Sequence, residues 1–267
     1  ASMIDFGLQN RGFSSSTWYF KEVDGMYAYY PQLKAFSEND EVRISNDSAI
    51  SVRTNAFSGN GTKESPYLIN NVNDLINLSL SINHEFDAEG IYYLVSSLAS
   101  NFDLSNTNFK PIGSIEYPFN GNFDGNYANF NLYLNKEQDY QALFGVVGSA
   151  GSVQKLSVTG QIYGSNNIGS VVGLNHGTIS EVYSTAQVYA NNNVGGIIGA
   201  NHGSLSITYF RGEVDGNNYI GGITGLNSGT ILESYNTAKV FGNSFVVYIS
   251  GNNTGTSTNS YYTTNLI

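Results

Sequence analysis

His176 and His202 are separated by an interval of 26, as are Glu181 and Ile207, and Ile207 and Glu233. Four tyrosines, Tyr183, Tyr209, Tyr235 and Tyr261, keep the same interval. Such sets become sites only if the chain returns to one place at that interval. A histidine pair one circuit apart could share a metal ion. Stable sites need three or more protein ligands, and Ser228 and Thr254 continue the column without supplying one. The pair is therefore read as polar turn residues, and no metal or other cofactor is expected. Glu181 and Glu233 fall two circuits apart, and Arg211 is the sole arginine of residues 141–267. Polysaccharide hydrolysis or lysis needs clustered carboxylates, or carboxylates beside a base, so no catalytic residue is assigned. Asp124-Gly-Asn126 and Asp215-Gly-Asn217 lack the alternating acids of a calcium loop and read as turns. The tyrosine column is the remaining candidate. Stacked rings with hydroxyl tips suit a sugar- or protein-binding stripe. Inward packing at a corner is the favoured expectation for them, because the neighbouring columns look like core.

The elements that must position these residues come from the repeat itself. Ile168-Gly-Ser-Val-Val-Gly-Leu-Asn-His-Gly returns as Val194-Gly-Gly-Ile-Ile-Gly-Ala-Asn-His-Gly and as Ile220-Gly-Gly-Ile-Thr-Gly-Leu-Asn-Ser-Gly. Gly173, Gly199, Gly225 and Gly251 share a column, as do Asn175, Asn201, Asn227 and Asn253. A fixed period between 20 and 50 residues marks stacked supersecondary units. Each unit holds three apolar bursts too short for a helix but matched to strands. Three strands turning the same way give a parallel β-helix with like residues stacked about 4.8 Å apart. Apolar columns such as 168/194/220/246 and 171/197/223/249 should then fill the interior. The asparagine column should sit at a corner, each amide bonding the next. An earlier Val146-Val-Gly148 matches Val171-Val-Gly173 at an interval of 25 rather than 26, so the first coil lies off register.

Upstream, Leu75, Leu78 and Ile82 are at helical spacing, with Asn71 or Asn73 available as N-cap. The spacing predicts a helix near 73–83 that covers the open end of the coil stack. Tyr92–Leu98 and Phe130/Leu132/Leu134 read as strands, and Asp24-Gly25 between aromatic runs reads as a hairpin turn. Residues 37–56 are read as a connector or edge strand.

Composition narrows the function. Of 267 residues 35 are Asn, and only 12% are charged. Asn and Gly suit turns while Tyr and Thr suit strands. The net charge of −10 repels a phosphate backbone, so a nucleic-acid partner is not expected. There is no cysteine and hence no disulfide framework. No apolar run approaches the ~18–20 residues of a membrane span. Ala1-Ser2-Met3 reads as a cloning junction, and the chain as a piece excised from a larger protein.

The repeated Gly-x-x-x-Gly-Leu/Ala-Asn-His/Ser-Gly motif resembles the bacterial GLUG-repeat family. The approach, Phe57-x-Gly-x-Gly-Thr…Pro66-Tyr, Pro111-Ile-Gly and Pro118-Phe-x-Gly-x-Phe-Asp-Gly-Asn126, is similar too, so the likeness covers roughly 57–262. The resemblance implies a large secreted or surface-anchored bacterial protein, such as adhesin-like repeat proteins or the N-terminal regions of immunoglobulin A proteases. No protease residue carries over, since His84-Glu85 is followed by Phe86-Asp87-Ala88 rather than completing a His-Glu-x-x-His zinc motif. The Trp18…Tyr30-Pro…Leu33 stretch is like a segment that closes such modules.

The expected fold is all-β: a right-handed parallel β-helix (a solenoid) of about 26 residues per coil and five to seven coils. A capping helix near 73–83 and a small N-terminal β extension would complete it. Residues 1–56 would be that extension, or the end of a preceding module with its connector. Residues 57–267 would be the β-helix, with irregular first coils over 57–140 and repeats over 141–267. The expected function is a non-catalytic, rigid, adhesive module outside the cell, monomeric when isolated. Its partners would be host or bacterial surface proteins or glycans, with no membrane insertion by this fragment. A carbohydrate-binding module or a β-helical polysaccharide-active enzyme fragment is the alternative.

Overall fold

The computed structural model describes residues 57–263 and, by backbone alone, four short strands within 18–33. The chain divides into two compact units, Ala1–Ala56 and Phe57–Ile267. In the first, β1 (Trp18–Tyr19) pairs antiparallel with β4 (Gln32–Leu33), and β2 (Glu22–Val23) with β3 (Met26–Tyr27). The β2–β3 pairing places Val23 opposite Met26, while Asp24-Gly25, expected as a hairpin turn, lies outside the described residues. The strand expected within 37–56 lies outside the described residues.

The second unit is a parallel β-solenoid. One face stacks eight strands or strand halves: β5 (Tyr67–Ile69), β6 (Tyr92–Val95), β8 (Asn122–Asn135), β10 (Ser152–Tyr163), β13 (Thr178–Ser184), β16 (Ser204–Phe210), β19 (Thr230–Asn236) and β22 (Thr256–Thr258). A second face stacks β7 (Asn101–Asp103), the later halves of β8 and β10, then β14 (Gln187–Gly195), β17 (Glu213–Gly221) and β20 (Lys239–Val247), with β11 (Asn166–Ile168) paired to β14. The third comprises β9 (Phe144–Val147), β12 (Val172–Asn175), β15 (Ile198–Asn201), β18 (Thr224–Asn227) and β21 (Ser250–Asn253). A final two-residue strand, β23 (Tyr261–Tyr262), pairs with β19. The array thus has eight rungs rather than five to seven. The additional rungs, β5, β6 and β8, carry none of the repeated glycine signature.

From β10 onward registers advance by the expected interval of 26, as in Ile179↔Leu205↔Ile231 and Tyr183↔Tyr209↔Tyr235. Earlier rungs are longer: Phe123 pairs with both Tyr93 and Val153, an offset of 30 on each side. The first glycine-bearing coil corrects the sequence alignment. Phe144 pairs with Val172 and Val146 with Leu174, an offset of 28 rather than 25. Gly145 therefore takes the place of Gly173. The two extra residues lie in the turn Gly148–Gly151, where later coils use only a His-Gly, Ser-Gly or Thr-Gly pair.

The interior is built of apolar columns. Ile168, Val194 and Ile220 are fully buried, as are Val171, Ile197 and Ile223, and Val188 and Val214. Each such side chain contributes about 1.5–3 kcal/mol by leaving water. At the last coil the same columns open: Val246 is 40% exposed, and Ile249 and Val240 are only half-buried.

The other end is covered by α1 (Val72–Ile82). Asn71 caps it, its side chain accepting from the N–H groups of Asn73 at 2.9 Å and Asp74 at 3.2 Å. This satisfies two of the helix's free donors. Leu75, Leu78 and Ile82 enter the common core. The helix is tied to the neighbouring segment by Ser79 Oγ, which donates to the Lys110 carbonyl at 2.6 Å, and by Asn83 Nδ2, which donates to that of Pro111 at 2.8 Å.

Candidate functional site

Each coil turns between the third and first faces at the asparagine column. Asn175 Nδ2 donates to Asn201 Oδ1, Asn201 Nδ2 to Asn227 Oδ1, and Asn227 Nδ2 to Asn253 Oδ1, each at 2.8 Å. Asn175, Asn201 and Asn227 are fully buried, so the chain of amides satisfies groups that burial would otherwise leave unpaired. Gly173, Gly199 and Gly225 stack on β12, β15 and β18. A Cβ on Gly199 would stand 2.2 Å from the Asn167 carbonyl carbon, and one on Gly225 2.2 Å from that of Asn193. The column is glycine because a corner of the preceding coil presses against it. These residues hold the scaffold and offer no reactive group.

The candidate binding surface lies on the outside of the first face. Tyr183 and Tyr209 stack with ring centroids 5.2 Å apart, and Tyr209 and Tyr235 at 5.6 Å. The column points outward, contrary to the inward packing expected. Tyr235 is 39% exposed and Tyr261 64%, while Tyr183 and Tyr209 are half-buried. The buried positions on these strands are Val182, Thr208 and Ser234 just before each ring and Ser184, Phe210 and Asn236 just after. The Tyr209 hydroxyl hydrogen-bonds Thr237 Oγ1 at 2.9 Å, which orients one ring of the ladder.

Beside the rings runs an open groove of about 500 Å³ containing Tyr127, Glu181, Tyr183, Ile207, Tyr209 and Glu233. Glu181, Ile207 and Glu233 all have left-handed backbone, with φ of 53°, 51° and 51°. A β-branched residue in that region is strained, and Ile207 is also 53% exposed. Replacing Ile207 with Asn, which tolerates the conformation, should stabilise the protein by about 1 kcal/mol in urea unfolding.

Tyr127 carries no repeat signature in the sequence. It sits on β8, ahead of the repeats, and reaches the groove from a bulge in the β8–β10 pairing, where Asn126 and Tyr127 are both left-handed. Its hydroxyl donates to Glu181 Oε2 at 3.0 Å. That hydrogen bond to a carboxylate pushes the Tyr127 hydroxyl above the usual tyrosine range. Nearby, Lys155 Nζ meets Asp124 Oδ2 at 3.1 Å, and that contact raises the lysine. Asp124 Oδ1 accepts from the Asn126 N–H at 2.9 Å at the bulge, so Asp124-Gly-Asn126 lies within β8 and is not the turn expected. Asp215-Gly-Asn217, likewise expected as a turn, lies within strand β17, where Asp215 and Gly216 pair in register with β14 and β20.

His176 and His202 stack at 5.1 Å, and the His202 ring nitrogen Nδ1 contacts Ser228 Oγ. Among the described residues no group of three or more His, Asp or Glu could hold a metal. Burial, and secondarily the adjacent His176, hold His202 below the usual histidine value. The unfolded chain therefore takes up this proton first as pH falls. The associated stability is complete above the usual value, about 6.5, and is lost as pH drops through the lowered one. The melting temperature should fall on acidification from about pH 7 to 5, and His202→Ser, the residue type at position 228, should flatten that slope.

The fold and its outward columns define a parallel β-solenoid with a tyrosine-lined face. No family model matches the chain. It is 33% identical over 130 residues to a protein of Evansella cellulosilytica named "Putative Gly-rich membrane protein", a match covering 45% of this chain and 14% of that one. It is 32% identical over 139 residues to "Halomucin" of Haloquadratum walsbyi, covering 47% of this chain and 1% of that protein. The chain thus spans a small part of these relatives. Among solved structures it resembles that of a "putative immunoglobulin A1 protease" from Bacteroides ovatus, with a TM-score of 0.54, 17% identity and 78% of each chain covered. At that identity the likeness shows a shared fold. No helix among the described residues is long and apolar enough to cross a membrane.

Proposed function

We propose that the chain is a non-catalytic structural and adhesive module of the GLUG-repeat type, carried by a large protein at the cell surface or outside the cell. The observation that carries this reading is the outward tyrosine ladder on an in-register solenoid. The continuous ladders make the scaffold stiff, and the repetition presents the same aromatic contact once per coil, so weak contacts multiply. The names of the two relatives, a membrane protein and a halomucin, fit a surface setting. Host or bacterial surface proteins and glycans are the proposed partners.

The test is binding of the whole chain to glycan and surface-protein arrays, repeated with Tyr209→Ala and Tyr235→Ala combined. Retention on the array should fall about 5- to 150-fold, since each of the two aromatic contacts contributes ~0.5–1.5 kcal/mol beyond its buried area. The melting temperature should move little, because the rings stand outside the core. Unchanged retention, or no retention by the parent chain, would overturn the adhesive role.

A second reading is a β-helical polysaccharide-active fragment. Glu181 and Glu233 line the same groove. Two rungs separate their backbones by about 10 Å, at the upper edge of the ~6.5–9.5 Å used by inverting glycosidases. Release of reducing ends from polysaccharide, abolished by Glu181→Gln or Glu233→Gln, would establish it.

A further inference from the structure

The rings of the tyrosine ladder are turned to one another. Tyr183, Tyr209 and Tyr235 lie 18° and 19° from parallel at centroid separations of 5.2 and 5.6 Å, so the faces between them are covered. The stack offers a partner ring edges and hydroxyl tips, not the flat faces on which a pyranose packs. The Tyr209 hydroxyl is bonded to Thr237. Those of Tyr183 and Tyr235 have no partner among the described residues and are free to meet a carbonyl.

Beside the rings stands a second file of side chains, Lys155, Glu181, Ile207 and Glu233, all with left-handed backbone at φ between 51° and 53°. Successive members are one rung apart. Glu181 and Glu233 therefore stand two rungs, about 10 Å, apart, with the exposed Ile207 between them. Lys155 is held by Asp124, and the Tyr127 hydroxyl occupies Glu181 Oε2. Glu233 is exposed and has neither a hydrogen-bond nor an ionic partner among the described residues. No lysine or arginine is among the residues that line the groove. Two carboxylates beside an aromatic trough thus face solvent with no cation of the lining to balance them, and the complementary partner is positively charged.

The spacing selects the shape of that partner. In a polyproline II helix, residues recur on one edge at every third position and advance about 9.3 Å, which matches two rungs of the solenoid. An extended strand repeats on one face every second residue, about 6.7 Å, and falls out of step. A polyproline II helix also leaves its backbone carbonyls free for the tyrosine hydroxyls, and it enters aromatic-lined grooves with little left to order. Building on the adhesive reading above, we propose that the groove takes a basic, proline-rich segment of a partner surface protein. The segment lies along the solenoid axis as a polyproline II helix. Its Lys or Arg at every third residue faces Glu181 and Glu233, and its prolines rest on Ile207 and the ring edges.

The test is a fluorescence-anisotropy titration of the full chain into a labelled peptide of repeated Pro-Pro-Arg triplets. Saturable binding is expected, weakened by added salt and weakened about tenfold by Glu181→Gln and Glu233→Gln combined. A peptide of the same composition with its arginines in one block carries the charge without the spacing and should bind more weakly. The proposal is overturned if the triplet peptide does not bind, if the block peptide binds equally well, or if the folded double variant binds as the parent does. Binding of a glucosamine oligomer in place of the peptide also overturns it. Array retention that depends on Tyr209 and Tyr235, without binding of the triplet peptide, strikes this proposal alone and leaves the adhesive role standing.

Discussion

Gly203→Ala is expected to destabilise the solenoid by about 3 kcal/mol, the upper range for overpacking a site that cannot relax. A Cβ there would stand 2.1 Å from the Gly177 carbonyl oxygen and 2.7 Å from the His176 carbonyl carbon, both backbone atoms of the preceding coil. The coil cannot move away freely. The backbone N–H groups of His202 and Gly203 donate to the Asn175 carbonyl at 2.8 and 3.1 Å, and that of Ser204 to Gly177 at 2.8 Å. The same crowding recurs at Gly177, Gly229 and Gly255, so the strain cannot be passed to the next turn. Gly90 provides the contrast. Its φ is +74° and nothing lies within 4 Å of an added Cβ, so Gly90→Asn should cost under about 1 kcal/mol. Urea unfolding compares the two. Hydrogen exchange shows whether the damage spreads from the altered coil to its neighbours, as nearest-neighbour coupling in a stacked array requires.

The second large effect is expected at Asn201. Its amide is fully buried, accepts from Asn175 and donates to Asn227. Asn201→Ala breaks the ladder at its middle and leaves the Asn227 oxygen without that donor. It also removes longer contacts from Asn201 Nδ2 to the carbonyls of Gly203 and Thr230, at 3.4 and 3.3 Å. With a desolvation penalty of about 1–3 kcal/mol for each orphaned buried group, the loss should be about 3 kcal/mol. Removing Asn253 should cost far less, because it is exposed at the open end of the ladder. Equal losses at Asn201 and Asn253 would show that the ladder carries little of the stability.

Much of this architecture is legible in the sequence because stacking places like residues upon like. A buried asparagine amide is best satisfied by another one rung away, and a glycine pressed by backbone must be glycine in every coil. Both leave the same letter at a fixed interval. The helix was equally legible, since Asn71, Leu75, Leu78 and Ile82 carry its cap and its buried stripe within one short segment. The first coils were not. Turn length leaves no repeating mark, so the longer turn Gly148–Gly151 hid the true pairing of Val146 with Leu174.

What the chain determined by itself is therefore the stack: its period, its core columns, its amide and glycine files, and the helix at one end. Tertiary structure alone decided which way the tyrosines face. Strand alternation counted from buried Ile179 puts Tyr183 inside, but the left-handed residue at Glu181 shifts the count by one and returns Val182 to the core. The ring is thereby turned to solvent in each coil that keeps this kink. The hollow at the capped end likewise has no sequence signature, because Asn83, Lys110, Tyr133 and Tyr140 meet only after three separate segments pack there.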